Sequence, residues 1–267
     1  MIRDITIGQY YPAKSVIHKL DPRTKLFGTL VFIISVFLFH SIAGYAVATV
    51  FLAGMILIST VPVKFIFKGL KAIFMILLIT MVFNIFLTPG EALVSFGIFK
   101  ITKEGLSMAV RMAIRLVYLV IGSSLMTLTT TPNQLTDGLE KSLRPLNKIH
   151  VPVHEIAMMM SIALRFIPIL LEETDKIMKA QIARGADFEN GNLIQKAKNM
   201  IPLLVPLFIS AFRRANDLAM AMEARCYHGG DNRTQMKPLH YESRDYIAYV
   251  VMFAYLAIAI IFRIAGI

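Results

Sequence analysis

LFGTLVFIISVFLFHSIAGYAVATVFLAGMILISTVPV, residues 26–63, contains no Asp, Glu, Lys or Arg over 38 consecutive positions. A single helix of that length would measure roughly 57 Å, whereas the hydrocarbon core of a bilayer is about 30 Å thick. The run must therefore fold back, at His40-Ser41-Ile42-Ala43-Gly44, and supply two membrane spans. Gly44 and Ala48 in the second span form a small-xxx-small pair that lets helices approach closely. The whole chain agrees with this run: 56 % of its 267 residues are apolar, 17 % are charged, and the mean hydropathy is +0.64. That composition excludes an ordinary soluble enzyme, whose surface needs more polar residues. The formal charge of +11 marks cytoplasmic loops of a membrane protein rather than a nucleic-acid partner. A lone cysteine, Cys226, excludes an internal disulfide and a cysteine metal cluster.

Further spans lie on either side of this run. Ala72 to Gly90 is uncharged and ends at Pro89-Gly90. A mixed-charge loop with Glu91, Lys100, Lys103 and Glu104 follows, then a fourth span from about Leu106 to Thr129. Tyr246 to Phe262 is the last apolar segment. The N-terminal arm carries Arg3, Lys14, Lys19, Arg23 and Lys25, and Lys64, Lys68 and Lys71 follow the second span. By the positive-inside rule both segments lie in the cytoplasm, which expects a retained, inside N-terminus, five spans and an outside C-terminus.

The stretch 130–244 differs in character. It carries 15 basic and 12 acidic residues yet reads as helical. Thr131-Pro132-Asn133-Gln134 is a capping box with proline at the first helical position. A short helix to Leu143 is expected, then a long one from about Val153 to Ala186 with a kink at Pro168. A third runs from about Leu193 to Tyr227 with Pro202 and Pro206 in its first half. Crossing the membrane with both long helices would place Lys176, Lys179, Arg184, Lys196 and Lys198 outside, against the charge rule. The expectation is an all-α polytopic membrane protein in three parts. Residues 1–129 are the arm and four spans, 130–244 are cytoplasmic coupling helices lying against the inner face, and 245–267 are a fifth span.

A short repeat stands out in the long helices. Ala180 to Arg184 and Ala221 to Arg225 share the pattern Ala-x-x-Ala-Arg, 41 residues apart, each at a helix end. The candidate site is Ala183, Arg184 and Gly185 with Ala224, Arg225 and Cys226. Alanine keeps the tip slim, and arginine offers a rigid fork of donors for carboxylates. Both arginines could instead be ordinary cations at the negative end of a helix. Arg111 and Arg115 sit one turn apart inside the fourth span. They either snorkel to the outer headgroups or contact another membrane subunit.

Catalytic signatures are missing. No G-x-x-x-x-G-K-[ST] run exists to cradle ATP phosphates, His154-Glu155 is not followed by the second histidine of a zinc helix, and no G-x-S-x-G occurs. The six histidines show no ligand spacing except 150/154, which Pro152 interrupts. A secondary transporter would want a midplane site on broken helices with repeated spans, and neither is evident. An intramembrane enzyme would need a paired acid, His or Ser constellation inside the spans, which are almost free of ionisable groups.

Gly8-Gln9-Tyr10, Pro12, Ser15, His18 and the run Leu20-Asp21-Pro22-Arg23-Thr24-Lys25-Leu26 resemble the opening of the transmembrane (T) subunit of energy-coupling factor transporters, the EcfT/CbiQ family. Thr131-Pro132, Gly138-Leu139-Glu140, Leu164-Arg165-Phe166-Ile167-Pro168 and the two arginine tips continue the resemblance in order. It implies a module of an ABC-type vitamin or micronutrient importer in the bacterial cell membrane. Two cytosolic ATPases would hold the ATP and Mg, and this chain would need no cofactor of its own. A separate substrate-binding membrane (S) subunit would capture the nutrient, and Arg184 and Arg225 would dock into grooves on the ATPases. Cys226 departs from the Ala-Arg-Gly usual at the second tip. The helix could end there or a few residues later, at Gly229-Gly230. A membrane assembly scaffold or a self-sufficient secondary transporter is the competing reading.

Overall fold

The computed structural model describes residues 10–39, 41–96, 99–186, 188, 192–230 and 236–265. Among the described residues the regular structure is helical apart from one short hairpin, as expected of an all-α membrane protein. Gly8, Gln9 and His40 of the sequence reading lie outside the described residues. Helix α1 spans Pro22–Leu38 and α2 spans Ile42–Ser59. The fold-back between them is fixed by Ser41, whose hydroxyl accepts the Gly44 N–H at 3.1 Å. Gly44 admits the Phe39 ring where a Cβ would clash, and Ala48 is fully buried. The small pair therefore works at the bend as well as between helices.

Helix α3, Val63–Leu87, starts earlier than the apolar run suggests and takes in Lys64, Lys68 and Lys71. Its two pieces, Val63–Lys71 and Ile73–Leu87, meet at 57°, so the basic turns and the apolar span are separate rods. The segment expected as an irregular charged loop holds an antiparallel hairpin, β1 (Ala92–Phe96) with β2 (Phe99–Thr102), paired Phe96 to Phe99 and Val94 to Ile101. Helix α4 is Lys103–Thr129, capped by the Thr102 hydroxyl on Gly105 N–H at 3.0 Å. Helix α5, Pro132–Leu143, starts at the expected capping box: Thr131 N–H donates to Gln134 Oε1 at 3.1 Å and Gln134 N–H to Thr131 Oγ1 at 3.3 Å. After a 3-10 turn at Arg144–Ile149 come α6 (Val153–Ala183), α7 (Leu193–Ala224) and α8 (Ser243–Ala265).

The chain forms two compact units. One runs to Lys141 and resumes at Leu239; the other is Ser142–Pro238. The sequence division at 129/130 grouped α5 with the long helices. In the structure α5 packs on α1, because Gly138 has no Cβ and a Cβ there would come within 2.8 Å of Pro22. In the first unit, Phe32, Val36, Tyr45, Leu52 and Tyr255 centre the core of α1, α2 and α8, with Phe51 stacked on Tyr255 at 4.1 Å.

The Leu-Asp-Pro-Arg-Thr-Lys run is a latch in that unit. Asp21 caps α1 by accepting the Arg23 N–H at 2.8 Å, and the Arg23 guanidinium returns to the same carboxylate at 2.9 and 3.0 Å. The Asp21 N–H donates at 2.8 Å to Asp245, a buried carboxylate that also accepts the Glu242 N–H at 2.9 Å and so caps α8. Lys25 Nζ donates to the Thr129 carbonyl at 2.8 Å and the His18 carbonyl at 3.1 Å. Burial holds the His18 pKa below its ordinary value. Its neutral ring donates from Nε2 to the Tyr11 carbonyl at 3.0 Å and accepts the Ser15 hydroxyl at Nδ1, 2.7 Å. One signature thus ties together the starts of α1 and α8 and the end of α4.

By length and apolar content, α2, α4, α6 and α8 are each able to cross a membrane, as are the two pieces of α3 taken as one span. Helix α1 has 17 residues.

Candidate functional site

The second unit is built on α6 and α7. Both are amphipathic and both contain prolines, Pro168 in α6 and Pro202 and Pro206 in α7. A helix-internal proline has no N–H for the carbonyl four residues earlier. At Pro206 the deprived carbonyl is that of Pro202, and Gln181 of α6 donates its Nε2 to this oxygen at 3.3 Å. The defect in one helix is thereby repaired by the other. Further along, Ser210 and Arg214 of α7 both bond Glu173 of α6, with Arg214 Nη2 to Glu173 Oε2 at 2.9 Å and Nε at 3.3 Å. Beyond that pair, Ala163 and Phe166 of α6 face Ala215, Ala219 and Met222 of α7 across an apolar groove of about 390 Å³. Residue 181 meets 202, 173 meets 210 and 214, and 163 lies by 215–222. The two helices are therefore antiparallel.

Antiparallel packing puts the two Ala-x-x-Ala-Arg tips at opposite ends of the pair. The backbone of each tip is the same. At α6, Arg184 is the C-cap, Gly185 is left-handed with φ +89°, Gly185 N–H donates to the Ile182 carbonyl at 2.9 Å, and Ala186 N–H to the Gln181 carbonyl at 3.0 Å. At α7, Arg225 is the C-cap and Cys226 is left-handed with φ +54°. The Cys226 N–H donates to Glu223 at 2.8 Å and the Tyr227 N–H to Met222 at 3.0 Å. Each is a Schellman ending with its paired backbone bonds. Of the two endings open at Cys226, the structure takes the first: the helix stops at the cysteine, ahead of Gly229-Gly230 and of the expected Tyr227.

Ala183, Arg184, Gly185, Ala224, Arg225 and Cys226 are all exposed. Among the described residues neither guanidinium has a hydrogen-bond partner. The carbonyls of Gln181 and Ile182 at one tip and of Met222 and Glu223 at the other already accept backbone N–H groups, so this capping does not use the arginine side chains. What the tips offer is two matching slim ends, each with a planar fork of five donors that no described residue engages.

Arg111 and Arg115 lie in the first unit and are not part of this arrangement. Arg115 Nη2 reaches the Phe39 carbonyl at 3.4 Å and the Tyr45 hydroxyl at 3.3 Å, closing the end of α1. Arg111 is exposed and reaches Ser107 Oγ at 3.3 Å. Sequence reasoning missed Glu173, Arg214 and Gln181. The 41-residue offset of the tips contained the signal for the first two, since it maps position 173 onto 214.

Residues 13–236 match the family described as CbiQ, cobalt transport protein. Curated relatives match along nearly the whole chain. The energy-coupling factor transporter transmembrane protein EcfT of Clostridium kluyveri is 59 % identical over 266 residues, covering 99 % of this chain and 98 % of that protein. The protein of the same name from Thermosediminibacter oceani is 53 % identical over 249 residues, covering 93 % and 94 %. That of Bacillus subtilis is 48 % identical over 246 residues, covering 92 % and 93 %.

Proposed function

The chain belongs to the CbiQ family, which includes the transmembrane proteins of energy-coupling factor transporters, and from that membership we propose that it is the coupling subunit of an ATP-driven vitamin or micronutrient importer. It is a non-catalytic subunit. Two ABC-type ATPases in the cytoplasm bind ATP and Mg, and a separate substrate-binding membrane subunit holds the nutrient. The observation that carries this reading is the pair of matching, exposed tips at opposite ends of α6 and α7. A single docking end would suit one partner; two equivalent ends suit two copies of one kind of partner. The 130–244 region and the N-terminus face the cytoplasm, where basic residues gather. Helix α6 has the length of a span, but Arg165 interrupts its apolar stretch and lysines flank its tip, so it lies against the inner face. ATP-driven approach of the ATPases moves the tips, α6 and α7 rotate about their contact, and the motion passes to the membrane subunit.

Affinity purification of the tagged chain from its native membrane tests this. Two ATPase chains should co-purify with it, and the chain stripped of them should neither hydrolyse ATP nor carry nutrient in proteoliposomes. Nutrient flux by the stripped chain would establish a self-sufficient transporter instead.

A further inference from the structure

The coupling reading makes no use of a cavity of about 220 Å³ in the membrane unit, enclosed by α1, α2, α4 and α8. Its walls are apolar, and Met55, Met126 and Met252 give them adaptable thioether surfaces. Its polar end lies at the first turns of α1 and α8. There Thr24 is 1 % exposed and its hydroxyl has no hydrogen-bond partner among the described residues. Arg244 lines the same end; its Nη2 pairs with Glu242 at 2.5 Å, while its buried Nε has no partner. Lys25, buried and held by two carbonyls, adds a second cation. The rim is exposed and apolar, formed by Val16, Ile58, Ile247 and Val251.

A buried hydroxyl and a buried guanidinium N–H without partners are costly and call for an acceptor. Water could serve the polar end, but the remaining apolar volume would stay dry and empty. An empty volume forfeits packing. The occupant must therefore be acceptor-rich at one end, apolar along the rest and able to enter through a rim that faces lipid. We propose that the cavity holds one acyl chain of an anionic phospholipid, with its phosphate at Thr24 and Arg244. The volume is below the range of pockets for drug-sized ligands and suits a segment of a chain. This proposal does not rest on ATPase docking and is measured without the ATPases.

The chain has no tryptophan, so Phe51→Trp places a single tryptophan, excited selectively at wavelengths beyond the tyrosine absorption band, in the cavity wall. Purified full-length Phe51→Trp protein goes into phosphatidylcholine vesicles containing increasing fractions of phosphatidylglycerol. Bromine is placed on the acyl chains of one lipid class at a time. Half-maximal quenching should need about tenfold less brominated phosphatidylglycerol than brominated phosphatidylcholine. Thr24→Val should narrow that ratio, and Ala248→Phe, which fills the cavity, should abolish it. Millimolar inorganic phosphate should leave the ratio unchanged, because phosphate without the chain lacks the apolar contacts; loss of the ratio would mean a phosphate site and overturn the proposal. Equal quenching by the two lipids in the Phe51→Trp protein would also overturn it, whether or not the other variants fold. So would an unchanged ratio in folded Ala248→Phe.

Discussion

Glu173 and Arg214 hold the same position in two helices, each eleven residues before its tip arginine, and they bond to each other at 2.9 Å. Two antiparallel helices joined at equivalent positions have an approximate two-fold axis through the joint. The tips are then equidistant from it, about 33 Å apart along the pair at helical rise. On the proposed coupling reading, a symmetric pair of this kind would deliver equal and opposite displacements to the two ATPases.

The joint should therefore matter for coupling more than for stability. Both side chains are partly exposed, and pairs of that kind contribute about 0–1 kcal/mol. Glu173→Ala and Arg214→Ala should each leave the melting temperature of the complex nearly unchanged while nutrient uptake per ATP hydrolysed falls two- to fivefold. Arg214→Glu should be worse, since it sets two carboxylates, at 173 and 214, against each other across the crossing. The exchange Glu173→Arg/Arg214→Glu should restore part of the loss, because Ser210 loses its acceptor. Uptake and ATPase rates in proteoliposomes, combined as a double-mutant cycle, measure the interaction directly.

The cysteine at the second tip is strained. A non-glycine residue at φ +54° bears a cost of roughly 1 kcal/mol that glycine avoids. Cys226→Gly should slow hydrogen exchange at the Tyr227 amide, which closes the Schellman ending, by about fivefold, after allowing for glycine's freer unfolded state. Cys226→Val should speed that exchange, because a branched side chain resists the left-handed region. Mass-spectrometric exchange on the C-terminal peptide of α7 reads both.

Much of this arrangement was legible in the sequence. The uncharged run 26–63 and its fold-back, the capping box at Thr131 and the two arginine tips are local signals, and each is where it was read. Features set by distant residues were not legible. The latch from Asp21 to Asp245 joins positions 224 apart. The repair of the Pro202 carbonyl by Gln181 depends on which helix lies opposite. The helical start at Val63 was hidden because Lys64, Lys68 and Lys71 read as a loop when only hydropathy was weighed. Helix propensity favours lysine there as strongly as leucine. The hairpin at 92–102 was masked by the charges around it.

Orientation has a direct test, since Cys226 is the single cysteine and is exposed. A membrane-impermeant maleimide added to intact cells should leave it unmodified, and a permeant one should modify it. In a Cys226→Ser background, Glu91→Cys should react from outside, because the proposed topology puts the turn after α3 outside the cell. Modification of Cys226 by the impermeant reagent would place the long helices' tips outside and end the coupling reading.

The arginine forks are the most consequential feature to remove. Each guanidinium is free of partners among the described residues, and its helix end is capped without it, so Arg184→Ala and Arg225→Ala should leave folding and insertion intact. A charge-assisted hydrogen bond contributes roughly 1.5–3 kcal/mol. At 1.4 kcal/mol per decade, loss of one fork should weaken ATPase attachment about tenfold to a hundredfold. Loss of both should release the ATPases altogether, because the second tip binds at the high effective concentration set by the first. Arg→Lys should rescue poorly, since an ammonium supplies the charge without the planar pair of donors. Pull-down of the ATPases with the single variants, the double variant and the lysine series measures each step. Full ATPase recovery with the double alanine variant would reduce both arginines to solvated cations at helix ends. Full recovery with lysine at both tips would keep the charge and dismiss the fork.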